Sequence, residues 1–264
     1  MRYSTRLILL LSLIPLYGLK AEMVQRTINY SLNGNQFASV LVYDDSIENP
    51  VPGIIMVPNW LGPTENALAK AKRIASDKYV VLLADVYGTD VRPTNTQEAS
   101  KAAGELKGED RTVLRERLQR AHTEMQALIL EDIPLDAERI CAIGFCFGGT
   151  AVLEMARSGS DIKAVVSFHG GLDNPNPDDV ANIGCKILVL HGAADPLVPQ
   201  SEVQAFVEEM NASNVDWQLM QFGGAVHSFT DPHTFMPGRA EYNPAVSKRA
   251  FSMMDAFLEA ALSE

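Results

Sequence analysis

Arg139-Ile140-Cys141-Ala142-Ile143-Gly144-Phe145-Cys146-Phe147-Gly148-Gly149-Thr150 is the stretch whose reading decides the fold. A short apolar run gives way to glycines that bracket one cysteine, and a helix-compatible segment continues through Ala151 to Arg157. The order predicts a strand that reverses sharply into a helix, with Cys146 at the tip in a strained backbone conformation, the pattern of a nucleophile elbow. Gly144 and Gly148 suit such a turn because side chains two residues either side of the tip would collide across it. Gly149 lets the new helix lie close to the sheet. A cysteine there has two readings. Either its thiolate is favoured by the unpaired N–H groups and macrodipole of the helix start and serves as a nucleophile, or it is a small buried residue in an ordinary glycine-rich turn.

Outward from this stretch, strands and helices alternate. Gly53 to Val57, Tyr79 to Ala84, Lys163 to Phe168 and Lys186 to Leu190 are short, largely apolar runs, as expected of strands covered on both faces, and Asp216 to Phe222 is the last strand of the series. Helical segments lie between them. One follows Thr64, a cap candidate, with Leu68, Ala71 and Ala75 on one face; a short one runs from Thr96 to Leu106, and a long charged one from Arg111 to Leu130. Another runs from Ser201, read as its cap, to Met210, and the last starts at Pro244 behind the cap Asn243. Val24 to Leu32 and Gln36 to Tyr43 alternate moderately around Asn33-Gly34-Asn35, a hairpin signal. Right-handed crossovers between such units imply an α/β protein with a doubly wound, mostly parallel sheet flanked by helices, and functional residues at the carboxyl ends of the strands. No internal repeat, low-complexity run or Ser/Gly linker divides the chain, so residues 22–264 are expected to form a single domain.

Composition narrows the function classes. With 264 residues, 47% of them hydrophobic, the chain has ample material for one large core. A net charge of −11 and no basic patch with interleaved aromatics argue against a nucleic-acid partner. Residues 1–21 read as a secretory signal peptide: Arg2 and Arg6 precede an apolar run from Leu7 to Leu16, and Ala21 is a plausible last residue before cleavage. The run is short for a bilayer span, so no stable membrane span is expected after cleavage, an uncleaved anchor being the alternative. The expected destination is the periplasm or the exterior. Such compartments favour disulfides, yet the three cysteines Cys141, Cys146 and Cys185 leave one over. The strand order sets Cys141 and Cys185 at the starts of strands separated by a third, roughly 9–10 Å apart at ~4.8 Å per step and out of bridging reach. Both are read as unpaired core residues.

Cys146, Asp195 and His227 each fall just beyond the carboxyl end of a strand, in the order nucleophile, acid, histidine, which is the α/β-hydrolase order. Gly144-Phe145-Cys146-Phe147-Gly148-Gly149, Leu190-His191-Gly192-Ala193-Ala194-Asp195-Pro196-Leu197-Val198-Pro199 and Gly224-Ala225-Val226-His227-Ser228-Phe229 resemble the three signature regions of the dienelactone hydrolase family. The similarity spans nearly the whole mature chain. The resemblance implies the α/β-hydrolase fold and cleavage of a small ester, lactone or thioester by a Cys146 thiolate, with no cofactor and no metal. His227 would take the thiol proton, or the two would stand as a thiolate–imidazolium pair, and Asp195 would hold the other ring nitrogen. The oxyanion would be met by the backbone N–H of Phe147 and, by resemblance, that of Trp60.

Two departures from the family pattern bear on the substrate. The family has a glutamate in the loop after the third strand that takes part in generating the thiolate; the matching position is Asn59, whose amide cannot act as a base. Where dienelactone-cleaving members place an arginine after the histidine to pair with the substrate carboxylate, His227-Ser228-Phe229-Thr230-Asp231 has Asp231. A negative charge there is expected to repel an anionic dienelactone and to favour a neutral ester, lactone or thioester. Asn59 and Ser228 are candidate pocket residues. Two further functions stay open: a non-catalytic ligand-binding protein, with Asn59 marking decay of the activating network, and an acyltransferase whose thioester is resolved by an alcohol or amine.

The remaining polar residues have plainer readings. His169 and His191, in His-Gly turns, are expected to be satisfied by nearby backbone, and His122 to lie on the surface. His227, Asp231 and His233 could be written as a metal cluster, but they lie in a loop with no further ligand set. Asp85 and Tyr87 either line the pocket or form a turn. The charges of Arg111 to Leu130 are read as a solvated face, with a reach of Arg111, Arg115 or Arg117 to substrate left open, and Glu202, Glu208 and Glu209 are placed outward. Core packing is the simpler account of the Trp60 and Phe147 rings. The sequence does not indicate an oligomeric state.

Overall fold

A hairpin opens the fold. In a computed structural model that describes residues 22–263, β1 (Met23–Leu32) pairs with β2 (Asn35–Asp44) across Asn33 and Gly34, whose φ angles of 50° and 79° suit a primed two-residue turn. The segment read as a signal peptide, residues 1–21, lies outside the described residues. There follow β3 (Val51–Val57), α1 (Glu65–Ala75), β4 (Val80–Leu83), α2 (Thr96–Lys107), α3 (Thr112–Ala127), β5 (Leu135–Phe145) and α4 (Phe147–Arg157). The chain continues through β6 (Ala164–Phe168), β7 (Lys186–Gly192), α5 (Gln200–Asn211), β8 (Trp217–Phe222), a small hairpin of β9 (Phe235–Met236) and β10 (Ala240–Glu241), and α6 (Pro244–Leu262).

Among the described residues the main sheet has the order β1-β2-β4-β3-β5-β6-β7-β8; β1 and β2 run antiparallel to their neighbours, and from β4 to β8 every pairing is parallel. The apolar strands alternate between two cores. Ile55, Val57, Ala142, Val165, Ile187 and Val189 face α3, α4 and α5, whereas Ile54, Met56, Ile143, Val166, Leu188 and Leu190 face α1 and α6. Burial on both faces is why these runs lack a polar side. Cys141 on β5 and Cys185 just before β7 are unpaired and buried, with β6 between the two strands, as the strand order required.

The helix ends follow local chemistry. Thr64 accepts the N–H of Ala67 and Asn243 that of Val246, each capping the helix expected of it. Ser201 is not a cap: α5 begins at Gln200 behind Pro199, where the fixed proline φ starts the helix without a side-chain acceptor. Parts of the charged surfaces read as solvated are in fact buried. Arg111 and Glu154 are buried and joined in an ionic network with Arg115, Asp173 and Asp179, because α4 is covered along its whole length and these charges lie in its cover. Glu209 points inward to Arg157, and Glu202 accepts the N–H groups of Leu172 and Asp173. His122 is 1% exposed inside α3, and neither ring nitrogen has a hydrogen-bond partner among the described residues.

Candidate active site

The site is assembled where β5, β6, β7 and β8 end. The elbow between β5 and α4 is as tight as its glycines suggested: a Cβ on Gly144 would stand 1.8 Å from the Gly148 carbonyl oxygen, and one on Gly149 2.8 Å from Gly170 Cα. Cys146 sits at the tip with φ 55° and ψ −119°, a conformation that L-residues rarely adopt. Its N–H is shared between the Phe168 carbonyl at 3.0 Å and His169 Nδ1 at 3.1 Å, so the turn is pinned from the adjacent strand.

Three sequence-predicted residues meet here. His227 Nε2 lies 3.0 Å from Cys146 Sγ, and His227 Nδ1 lies 2.7 Å from Asp195 Oδ2. The other Asp195 oxygen accepts the Leu197 N–H at 2.8 Å, which fixes the carboxylate against the imidazole. His227 itself is clamped by backbone bonds to Arg239 and Glu241 on either side of the β10 start. Asp195 and His227 are buried, whereas Cys146 is half-exposed. Burial opposes charge on His227, but the adjacent Cys146 and the bonds to Asp195 and Cys146 outweigh it and raise the imidazole to about 10. The two groups are within proton-transfer distance, 3.0 Å apart.

Phe147 opens α4, so its N–H has no intrahelical acceptor. Neither that group nor the N–H of Trp60 meets an acceptor among the described residues. The Trp60 carbonyl accepts the hydroxyl of Tyr87 at 3.0 Å, and the Tyr87 ring stacks on Phe147 with centroids 5.6 Å apart. Tyr87 therefore braces both residues from behind. Asp85, by contrast, is a turn residue: it accepts the N–H groups of Tyr87 and Gly88 and pairs with Arg92.

Asn59 is turned back into its own loop, with Oδ1 accepting the Leu61 N–H at 3.1 Å and Nδ2 reaching Asp231 at 3.4 Å. Asp231 is 5% exposed, and its carboxylate also accepts from Asn66 Nδ2 and the His233 N–H. Asp231 is thus held by Asn59 and Asn66, two neutral amides that fix its carboxylate without cancelling its charge. Ser228 is half-buried with φ 55° and makes no side-chain hydrogen bond among the described residues. No cluster of three or more metal-ligating side chains occurs among the described residues.

His169 is more than a backbone-satisfied histidine. Its Nδ1 accepts the Cys146 N–H, and Nε2 lies 2.8 Å from Thr230 Oγ1, so the ring donates there as the Nε2–H tautomer. Burial, then the neighbouring His227, holds its pKa well below the usual histidine range. It stands edge-on to His227 with ring centroids 5.3 Å apart. Sequence placed it one strand from the elbow, which was the available signal. His191 is buried with Nδ1 unpartnered among the described residues. Arg117 donates to the carbonyls of Val86 and Tyr87, while Arg111 and Arg115 belong to the network around Glu154; the structure does not bring these arginines to the thiol.

A mostly parallel sheet wrapped by helices, with a thiol on a strained strand-to-helix turn and an acid and histidine at later strand ends, defines an α/β-hydrolase. The chain belongs to the dienelactone hydrolase family, whose sequence model matches residues 37–262, and it is a carboxylic ester hydrolase. Among solved structures, m3DLH is 34% identical over 91% of this chain and 99% of its own, with a TM-score of 0.84. A dienelactone hydrolase-like promiscuous phosphotriesterase from metagenomic libraries is 33% identical over 90% of this chain and 98% of its own, also at 0.84. A protein of Escherichia coli named as a candidate carboxymethylenebutenolidase is 24% identical over 75% of this chain and 71% of its own. No helix among the described residues is long and apolar enough to cross a membrane.

Proposed function

We propose that this hydrolase cleaves small neutral esters, lactones or thioesters with Cys146 as nucleophile, His227 as general base and acid, and Asp195 orienting the imidazole. The observation that carries it is the continuous chain Cys146 Sγ, His227 Nε2, His227 Nδ1, Asp195 Oδ2, with spacings of 3.0 Å and 2.7 Å. His227 takes the thiol proton. The thiolate attacks the carbonyl carbon, the carbonyl π electrons move to oxygen, and the N–H groups of Trp60 and Phe147 receive the oxyanion. Collapse expels the alkoxide or thiolate, which takes the proton from His227. A water, deprotonated by His227, then attacks the thioester and returns Cys146. The neutral-substrate reading is supported by Asp231, a carboxylate where dienelactone-cleaving members of the family place an arginine, held by two amides that do not cancel its charge. Because one solved relative is named a promiscuous phosphotriesterase, a neutral phosphotriester belongs in the substrate panel.

Mass spectrometry after brief exposure to neutral activated esters, thioesters and a phosphotriester tests this, with Cys146→Ala as control. A transient adduct on Cys146 together with turnover, both absent from the variant, is the expected result. Equal background hydrolysis and no adduct in either protein would leave the site a ligand-binding one, and partitioning of product to added alcohols or amines would make it an acyltransferase. We also propose, from residues 1–21 alone, that the protein is exported to the periplasm or beyond; an N-terminus at Glu22 in protein recovered from producing cells is expected, and a retained Met1 would overturn it.

A further inference from the structure

One buried ring ties the nucleophile's turn to the loop that carries the base. Cys146 donates its N–H to His169 Nδ1 at 3.1 Å, so in the neutral ring the proton sits on Nε2, which lies 2.8 Å from Thr230 Oγ1. Thr230 stands three residues beyond His227 in the loop after β8, and it is buried like His169. The flanks of the ring are held as well, edge-on to His227 at 5.3 Å and to Phe229 at 5.0 Å between centroids. The loop is braced in turn by the Asp231 N–H on the Ser228 carbonyl at 2.9 Å and the Asn243 N–H on the Phe229 carbonyl at 3.1 Å.

The direct link between Cys146 and His227 is the 3.0 Å contact of Sγ with Nε2. A second link runs from the Cys146 backbone through His169 to Thr230, and it uses no atom that reacts. The two links diverge once the thiol carries an acyl group. A sulfur without a proton is only a weak acceptor, so the direct contact lapses at the stage when His227 has to hold a water. The strut through His169 is left intact by acylation, and it touches the imidazole that it would steady.

We propose that His169 is a positioning residue for the second half of the reaction: through Thr230 it keeps His227 aligned on the acyl-enzyme while water attacks. The inference rests on the thiol-hydrolase reading above. In that step the water oxygen bonds to the thioester carbon as its proton passes to His227 Nε2, the carbon–sulfur bond breaks, and the proton returns to Sγ. In the free enzyme the direct contact aligns the pair without help. Loss of the strut therefore slows hydrolysis of the acyl-enzyme far more than its formation.

The test is steady-state kinetics of the full protein on a neutral activated ester, whose good leaving group makes hydrolysis of the acyl-enzyme limiting, with mass spectrometry of the Cys146 adduct during turnover. Thr230→Val removes the strut's acceptor at nearly constant volume, Thr230→Ser keeps the hydroxyl, and His169→Asn keeps an acceptor beside the Cys146 N–H without the reach to Thr230. For Thr230→Val and His169→Asn the expected result is a kcat lower by about tenfold, since an ångström of misplacement can cost up to about a hundredfold. KM falls with it, kcat/KM stays within about twofold, and the acyl adduct accumulates. Thr230→Ser restores kcat. Thermal melts accompany each variant, and if one of the two strut-breaking variants fails to fold, the other carries the comparison from the opposite end. Folded variants with wild-type kcat, a kcat/KM that falls as far as kcat, or a Thr230→Ser no better than Thr230→Val would each overturn the proposal while leaving the thiol hydrolase intact. A wild-type protein that never forms the adduct overturns both.

Discussion

The two ends of α4 hold buried charge in opposite ways. At the carboxyl end, Arg157 is 1% exposed and spends all five of its N–H donors, two on Glu209 and one each on Glu154, Leu172 and Asp173. Glu154 is saturated from its other side by Arg115. At the amino end the thiol is half-exposed, and the N–H groups of Trp60 and Phe147 have no acceptor among the described residues. The helix macrodipole suits both, a cation at one end and an anion at the other. What separates Arg157 from the reactive end of the same helix is that its hydrogen-bonding capacity is full.

Three substitutions can break or sharpen that contrast. Asp195→Asn turns an amide toward His227 Nδ1 and favours the wrong tautomer, so kcat on an activated ester should fall on the order of 10³–10⁴-fold with little change in melting temperature. An equal loss of stability would mean that the amino-end cluster is structural after all. Arg157→Met leaves Glu154 and Glu209 without their shared partner, and chemical denaturation should show a loss of about 3–5 kcal/mol. Its kcat per folded molecule should stay within about twofold; a large fall would show that the two ends are coupled through α4. The smallest effect is expected at His122. Burial lowers its pKa, so the unfolded chain binds a proton before the native one does, and stability is lost as pH falls below 6.5 toward the lower native value. His122→Leu should flatten that decline, as seen in melts across pH 5–8; parallel curves would place the acid sensitivity elsewhere.

The amino end was legible in the sequence because its constraints are local. Gly144 and Gly148 announce a turn that admits no side chains, and the strand-end rule then gathers Cys146, Asp195 and His227 without knowledge of any contact. The carboxyl end was not legible, because a run such as Arg111-Thr112-Val113-Leu114-Arg115-Glu116-Arg117 reads the same whether its charges meet water or other charges. Only the packing of α3, α5 and the turn at Pro177–Asn182 against α4 decides that. The partners of Asp231 were hidden for a related reason: Asn59 and Asn66 lie more than 160 positions away, so its rotamer is set by tertiary contacts. The seat of Lys70 Nζ on the Phe145 ring was invisible because a lysine on an amphipathic helix is normally solvated. The ring beneath it belongs to a strand elsewhere in the chain. The β9–β10 hairpin that clamps His227 is two residues a side, too short to show any alternation.

Cys146, His169 and Ser228 carry positive φ angles of 55°, 41° and 55° at three strand ends of one site. Each such residue holds on the order of 1–3 kcal/mol of backbone strain, so the sequence that best suits this backbone is not the one that works. A population selected for heat resistance alone would drift toward glycine at these positions and grow tougher as it fell silent. At Cys146 that relief would remove the thiol itself, so endurance and reactivity are opposed at one backbone position.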